Sequence, residues 1–516
     1  MQQPTPLFVL VLLLASNFSF AQTCSDCRYV SPIFDSVTVT TVKFGEGERA
    51  NGNMQELYMD IYEPYGDTAT NRPVAIFAFG GAFVTGGRDD WYVVLVCNFL
   101  ARAGYVVASI DYRIYDDAGE LATEVASGLL TGVPYHMRIF FRPMQDMRAA
   151  VQYLKADYAE LGNNYNIDTS RILLGGASSG AITALMVAYC DKESELAELG
   201  AGNISPINAL GGFNSTTGMF PNYNWNTLGV FQVSGAILNP DWIEPGDIPV
   251  ISAHGDDDDI VPYKAGAFAG LTLGFFNMYG SYLVDSAARA KGLCSYIYTM
   301  EGKNHPSEDF GIEYIKSVVY RLMLRMDAVI NGRSFCCPLD VTVTADDTVR
   351  YNPTLGAFDV TATVANDNGN AQIKWCGTPC LTSGVSSSIS VQPDTALYYL
   401  VCIAQEGACQ DATLNMMKAD STLVSAGSVI KTQAGEFTMF PHPTANAFFL
   451  NLEKDIAGIK ELEIYDLTGR LVLTQSIESN TKSARIDVKN LDAGNYIVKL
   501  SAQNKNFQPQ KLFIAR

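Results

Sequence analysis

The sequence predicts an α/β fold, a mostly parallel sheet with helices on both faces, followed by two small all-β modules. Three observations predict it. Between about residues 35 and 330, short apolar runs alternate with longer amphipathic stretches, the alternation of a parallel sheet covered on both sides. After Phe335 the helical period disappears, and short alternating runs are separated by Asn, Gly, Asp and Pro, the spacing of a small β-sandwich. At 516 residues and 48% apolar content, the chain is long enough for two or three domains with real cores.

The elements follow in order. Residues 1–21, MQQPTPLFVLVLLLASNFSFA, hold an apolar run from Leu7 to Ala15 and small residues at Ser19 and Ala21, which marks a secretory signal with the mature chain beginning near Gln22. That run is too short to span a bilayer and no later stretch is long and apolar enough, so an exported, soluble protein is expected. VTVTTVKF and ELYMDIY form an antiparallel entry pair. PVAIFAF, YVVASIDY, RILLGG, VFQVSGAIL, IPVISAHG and SYIYTM are the following strands, with MQDMRAAVQYLKADYAEL and IEYIKSVVYRLMLRMDAVI among the helices. This unit is assigned residues 22–334. LDVTVTAD, FDVTATVAN, AQIKWCG and LYYLVCIA predict an Ig-like β-sandwich over residues 335–425, read as a spacer. A Ser-, Ala- and Gly-containing connector follows Met417, and a second all-β module occupies 435–516. Its hairpin signal is IYDLTGRLVL, with the turn from Asp466 to Gly469.

The formal charge of −19 disfavours nucleic acid and anionic membrane as partners. Eleven cysteines in an exported chain imply several disulfides, with at least one thiol left over or paired between molecules. Cys97 and Cys190 lie in apolar helical stretches and read as small buried hydrophobes. The others are Cys24, Cys27, Cys294, Cys336, Cys337, Cys376, Cys380, Cys402 and Cys409, whose connectivity the sequence does not reveal. A zinc site from Cys376, Cys380, Cys402 and Cys409 is the alternative to disulfides there.

The chemistry starts at LLGGASSGAIT, residues 173–183. RILLGG is a strand, ASSGAITALMVAYC a helix, and Gly176-Ala177-Ser178-Ser179-Gly180 at their junction fits G-x-S-x-G. A strand that turns at once into a helix strains its middle residue and needs small neighbours for close approach. It lifts the Ser178 hydroxyl above the sheet, at the positive end of a helix. Taken alone, the pentapeptide equally suits a glycine-rich helix start, so its partners decide. A serine hydroxyl needs a base, usually histidine. Of four histidines, His136 lies in an apolar insertion and His442 in the C-terminal module, leaving His254 and His305. His305 follows SYIYTM by a short loop, at the carboxyl end of the sheet where an active site opens. ISAHGDDDDIVPY supplies four aspartates on the loop after the preceding strand.

The resulting order of serine, acid, histidine resembles the α/β-hydrolases. HG-x-x-D-x-x-VP is similar to the acid loop of that superfamily and puts the acid on Asp258, with His254 as a structural residue of the loop. Asp256, Asp257 and Asp259 are rivals, read as a solvated acidic loop or a calcium site. PVAIFAFGGAFVTGGRDD resembles the HGG-G-F oxyanion loop of carboxylesterases and hormone-sensitive-lipase-like enzymes, here Phe79-Gly80-Gly81-Ala82-Phe83. The resemblance implies an oxyanion hole from the N–H groups of Gly81, Ala82 and Ser179. Phe79 replaces the usual histidine, and Ala82 the third glycine. The likeness covers about residues 35–330 and includes the IDYR segment ending at Arg113 and the D-x-x-A-A-V-x-Y-L helix at Asp146, both residues taken as structural.

What the resemblance implies is a secreted serine esterase: Ser178 as nucleophile, His305 as base, Asp258 orienting it, and an acyl-enzyme released by water. A serine peptidase of the same fold and a catalytically silent surface binding protein are the alternatives. No cofactor motif is present, since the Gly-rich segments follow neither a P-loop nor a dinucleotide pattern. Specificity is expected from two insertions, Asp116 to Arg142 and Cys190 to Asn226. In the second, Phe213, Phe220, Tyr223 and Trp225 line a pocket or form core under a long loop. From about residue 438, FPHPTANAFFL, LEIYDLTGRLV, LDAGNYIVKL and KLFIAR resemble the C-terminal sorting domain of the type IX secretion system of Bacteroidetes, with His442 in place of a usual asparagine. That implies the type IX machinery as partner and secretion or display at the outer cell surface; a carbohydrate-binding β-sandwich is the alternative.

Overall fold

A computed structural model describes residues 27–268, 277–306 and 310–336, and shorter stretches between 340 and 514. The expected signal segment 1–21, Cys24, Cys337, Cys380, His442 and turn residues 467–469 lie outside the described residues.

Eight strands form the main sheet: β1 (Val37–Glu48), β2 (Met54–Pro64), β3 (Arg72–Ala78), β4 (Val106–Ile110), β5 (Ile167–Ala177), β6 (Gly229–Val233), β8 (Val250–Gly255) and β11 (Ser295–Met300). A small second sheet joins β7 (Ala236–Ile237), β9 (Ala265–Ala267) and β10 (Asn277–Gly280). The main order is β1-β2-β4-β3-β5-β6-β8-β11. β1, β2 and β4 pair antiparallel, and every pair from β4 to β11 is parallel. Every residue of β3 and β4 is buried, as central strands covered on both faces must be. β1 at the edge keeps an exposed run.

The helices are α1 (Trp91–Arg102), α2 (Ala118–Thr131), α3 (Met137–Glu160), α4 (Ser179–Tyr189), α5 (Glu193–Glu198), α6 (Ser205–Asn208), α7 (Ser281–Ala290) and α8 (Ile312–Ile330). Among the described residues no helix is long and apolar enough to cross a membrane. α3 is buried on most of its circumference because the second insertion wraps its outer face. Gln145, Arg148 and Gln152 donate to the carbonyls of Leu210, Phe213 and Tyr223 at 2.9, 2.7 and 2.6 Å, and the Arg148 guanidinium lies 4.9 Å from the Phe213 ring and 4.7 Å from Trp225. Phe220 meets Tyr153 edge-on. Phe213, Phe220 and Trp225 thus pack on α3, the second of the two readings of that insertion.

Beyond α8, strands 372–378, 397–406 and 409–418 form one antiparallel sheet. Cys376, Ile403, Ala412 and Leu414 share the core of the main sheet. Arg325 of α8 donates to Ala412 O at 2.8 Å and pairs with Asp411 at 3.1 Å, and Gln410 donates to Asp327 at 2.8 Å. Disulfides join Cys27 to Cys376 and Cys294 to Cys336, and Cys409 is disulfide-bonded as well. The zinc alternative is therefore corrected: Cys376 and Cys409 are already consumed as disulfides, and a zinc ligand must be a free thiolate. Cys97 and Cys190 are free and buried. The last strands have a core of their own, including Phe448, Leu450, Leu462, Ile464, Val498 and Leu512. Within it residues 460–466 and 471–477 pair antiparallel, as a hairpin at IYDLTGRLVL requires.

Candidate active site

β5 ends at Ala177, α4 begins at Ser179, and Ser178 between them has φ 53°, a left-handed conformation unusual for a side-chain-bearing residue. The approach leaves no room for larger neighbours. A Cβ on Gly176 would stand 2.4 Å from the Gly180 carbonyl carbon, and one on Gly180 would stand 2.2 Å from Ala78 O. The Ser178 N–H donates to Val233 O at 2.9 Å, pinning the turn to the end of β6.

The loops after β8 and β11 bring two more groups to this point. His305 Nε2 lies 2.9 Å from Ser178 Oγ, and His305 Nδ1 lies 2.8 Å from Asp258 Oδ2. The carboxylate can only accept, so Nδ1 carries the proton and Nε2 presents a lone pair to the serine hydroxyl. Asp258 Oδ1 accepts from the N–H groups of Ile260 and Val261 at 3.0 and 2.9 Å. Burial raises the Asp258 carboxyl pKa, but hydrogen bonds from His254 and His305 outweigh it and hold the group well below its usual range.

Among the described residues, none of the rival carboxylates hydrogen-bonds to His305. Asp256 accepts from Gly302 N at 2.7 Å, the N–H of Asp257 donates to Lys303 O, and the N–H of Asp259 donates to Asn304 Oδ1. His254 is fully buried under the loop. Its Nε2 is 3.1 Å from Val261 O and 3.2 Å from Asp258 Oδ2, and its Nδ1 is 2.7 Å from Ser281 Oγ. His136 Nε2 lies 3.0 Å from Leu199 O. Asp146 and Arg113 form a buried fork with two hydrogen bonds from Arg113 Nε, each 3.0 Å, and one from its backbone N–H at 2.7 Å.

The loop after β3 completes the surroundings. Gly81, Ala82 and Phe83 have φ of 138°, 52° and 63°, and Gly81 O accepts from Val84 N and Thr85 N, both at 3.0 Å. These contacts turn the loop over on itself beside Ser178. Among the described residues, the N–H groups of Gly81, Ala82 and Ser179 meet no protein acceptor. The Phe79 ring stacks on Tyr112 at 4.2 Å and 20°, and the Gly80 N–H donates to Tyr92 Oη at 2.5 Å. The Phe83 ring sits edge-on against Phe140 and Phe268. Tyr92 and Tyr112 were not identified from the sequence. Their hydroxyls reach the loop across space, and the one signal for Tyr112 was its place within IDYR.

Residues 59–123 and 135–210 match the BD-FAE family model, and residues 438–515 match that of the secretion system C-terminal sorting domain. No curated protein matches the chain. Among solved structures, esterase 2 of Thermogutta terrifontis phosphoramylated by tabun is 16% identical, covering 55% of this chain and 90% of that one with a TM-score of 0.37. Its propionate-bound form is 17% identical, covering 51% and 86% with a TM-score of 0.34. With a mostly parallel eight-stranded sheet and these two matches, the chain has an α/β-hydrolase fold, with residues 59–123 and 135–210 similar to the BD-FAE family and residues 438–515 similar to the secretion system C-terminal sorting domain.

Proposed function

We propose that this chain is an exported serine hydrolase that cleaves carboxylic esters. The observation that carries the reading is the unbroken run from Asp258 through His305 to Ser178, at 2.8 and 2.9 Å, beside three backbone N–H groups that meet no acceptor among the described residues. His305 Nε2 takes the proton from Ser178 Oγ as that oxygen bonds to the ester carbonyl carbon. The carbonyl oxygen becomes an oxyanion and accepts from the N–H groups of Gly81, Ala82 and Ser179. His305 returns the proton to the departing alcohol oxygen as the C–O bond breaks. Water, activated in the same way, then releases the acid from the acyl-enzyme. Asp258 stays ionised throughout and favours the imidazolium.

The sorting-domain match supports the type IX machinery as partner and a location at the outer surface or outside the cell, with residues 1–21 as signal peptide. The proposed division is a hydrolase unit over 22–334, an Ig-like module over 335–425 and the sorting domain over 435–516. The test is hydrolysis of p-nitrophenyl acetate, butyrate and octanoate by the whole chain and by Ser178→Ala. Turnover abolished by the substitution, with organophosphate labelling of Ser178 in the wild type, is expected. A folded wild type that neither turns over nor labels overturns the reading.

A further inference from the structure

One side chain lies between the two segments that carry the oxyanion donors. Tyr112 Oη is 2.9 Å from Phe79 O and 3.0 Å from Ser179 Oγ. A carbonyl oxygen only accepts, so the single phenolic proton goes to Phe79 O and the Ser179 hydroxyl donates to Tyr112. The direction is fixed: Ser179 Oγ–H to Tyr112 Oη–H to Phe79 carbonyl. Tyr112 and Phe79 are 1% and 2% exposed and Ser179 is fully buried, so water does not compete for these bonds. Burial also pushes the Tyr112 phenol far above its ordinary pKa, which keeps it a donor across the working pH range.

Each end of this relay bears on a donor. Ser179 supplies one N–H itself, and the Phe79 carbonyl lies two residues before the Gly81 N–H. Where the resembling oxyanion loops have a histidine, this chain has a phenyl ring, which makes no hydrogen bond. The ring instead stacks on Tyr112 and fixes the direction in which the hydroxyl points. Tyr92 Oη accepts from the Gly80 N–H, so that group is already occupied and is not one of the oxyanion donors.

We propose that Tyr112 is a positioning residue, whose hydroxyl holds the Ser179 and Gly81–Ala82 halves of the oxyanion hole in register. The assignment rests on the serine-hydrolase reading. Tyr112 touches no reacting atom. It acts by placing donors where charge develops, and small displacements of such groups are expensive in rate.

The test uses the whole chain as wild type, Tyr112→Phe, Ser179→Ala and the double variant. Readouts are kcat and KM on p-nitrophenyl butyrate and the second-order rate of inactivation by diethyl p-nitrophenyl phosphate, whose phosphoryl oxygen occupies the same hole. Tyr112→Phe keeps the ring stack, and its kcat is expected to fall about 10-fold, with KM within about twofold and inactivation slowed in parallel. The double variant should be no slower than either single one, because both break the same relay. Wild-type kcat in Tyr112→Phe, a change in KM alone, or multiplying single effects overturns the proposal while leaving the hydrolase reading intact. If Tyr112→Phe does not fold, Ser179→Ala, which removes the other end, carries the same expectation. A wild type inert to both ester and organophosphate removes the hydrolase reading and this proposal with it.

Discussion

Asp258 Oδ2 faces two histidines at once, His305 at 2.8 Å and His254 at 3.2 Å, while Oδ1 takes two backbone N–H groups. The carboxyl is held below its usual range, against the pull of burial, by His254 and His305. Its folded pKa is depressed, so the stability it contributes is present above the unfolded value of about 3.9 and is lost as pH falls below it. Asp258 therefore adds no ionisation to the activity profile near neutrality. A plot of log kcat/KM against pH should show an acid limb of unit slope, and a slope of two would contradict this. Asp258→Asn should lower kcat by about 10⁴-fold with little change in fold, because the imidazole loses its tautomer lock. That Ser178, Asp258 and His305 meet could be anticipated because the proposed chemistry asks for particular residue types just after particular strands. The residues that place them could not: the link from Tyr112 to Phe79 and Ser179 depends on how three side chains converge in space, and no spacing along the chain records it.

The junction of β5 and α4 concentrates the backbone constraint, with helix, sheet and the loop after β3 meeting at Gly176 and Gly180. Gly180→Ala would press a methyl onto Ala78 O and Phe79 O at 2.2 and 2.4 Å. These are backbone atoms that do not swing aside, so it should cost roughly 1–3 kcal/mol and displace the oxyanion loop. Thermal unfolding and esterase rate should both fall, and an unaltered rate would mean that the loop tolerates the shift. On α3, Asp146 is fully buried and accepts from Arg113 and from Thr217 Oγ1 at 2.9 Å. Asp146→Ala should destabilise by about 3–5 kcal/mol by stranding the guanidinium, measurable as a drop in the urea midpoint. The elements themselves could be read from apolar runs and their periods. The small sheet of β7, β9 and β10 could not, since its strands are of two, three and four residues, too short to carry a period. The packing of the second insertion on α3 was legible only as one of two readings, because the aromatics that bury Arg148 look in sequence the same as aromatics lining a pocket.

Across the whole molecule, the composition change after Phe335 marked where the α/β pattern stops but said nothing of how the next module sits. The structure joins them by a shared core, by hydrogen bonds from α8, and by Cys27–Cys376, which closes a sequence separation of 349 residues. Pairings of that span are invisible in sequence because, for each of the nine cysteines outside the helical stretches, any of the other eight is an equally good partner. The joint has a thermodynamic consequence. Closure entropy grows only logarithmically with loop length, so the disulfide is worth about 2–5 kcal/mol, and the apolar contacts of Ile403, Ala412 and Leu414 add to it. A chain ending at residue 334 loses both, and the Cys294–Cys336 disulfide besides, whereas Cys376→Ser in the whole chain loses the one bond alone. Melting temperatures should therefore fall in the order whole chain, Cys376→Ser, truncated chain, with reductant lowering the first more than the second, because the Cys294–Cys336 bond is common to both. Equal melting of the whole and truncated chains would show that the hydrolase unit draws no stability from the module docked on α8.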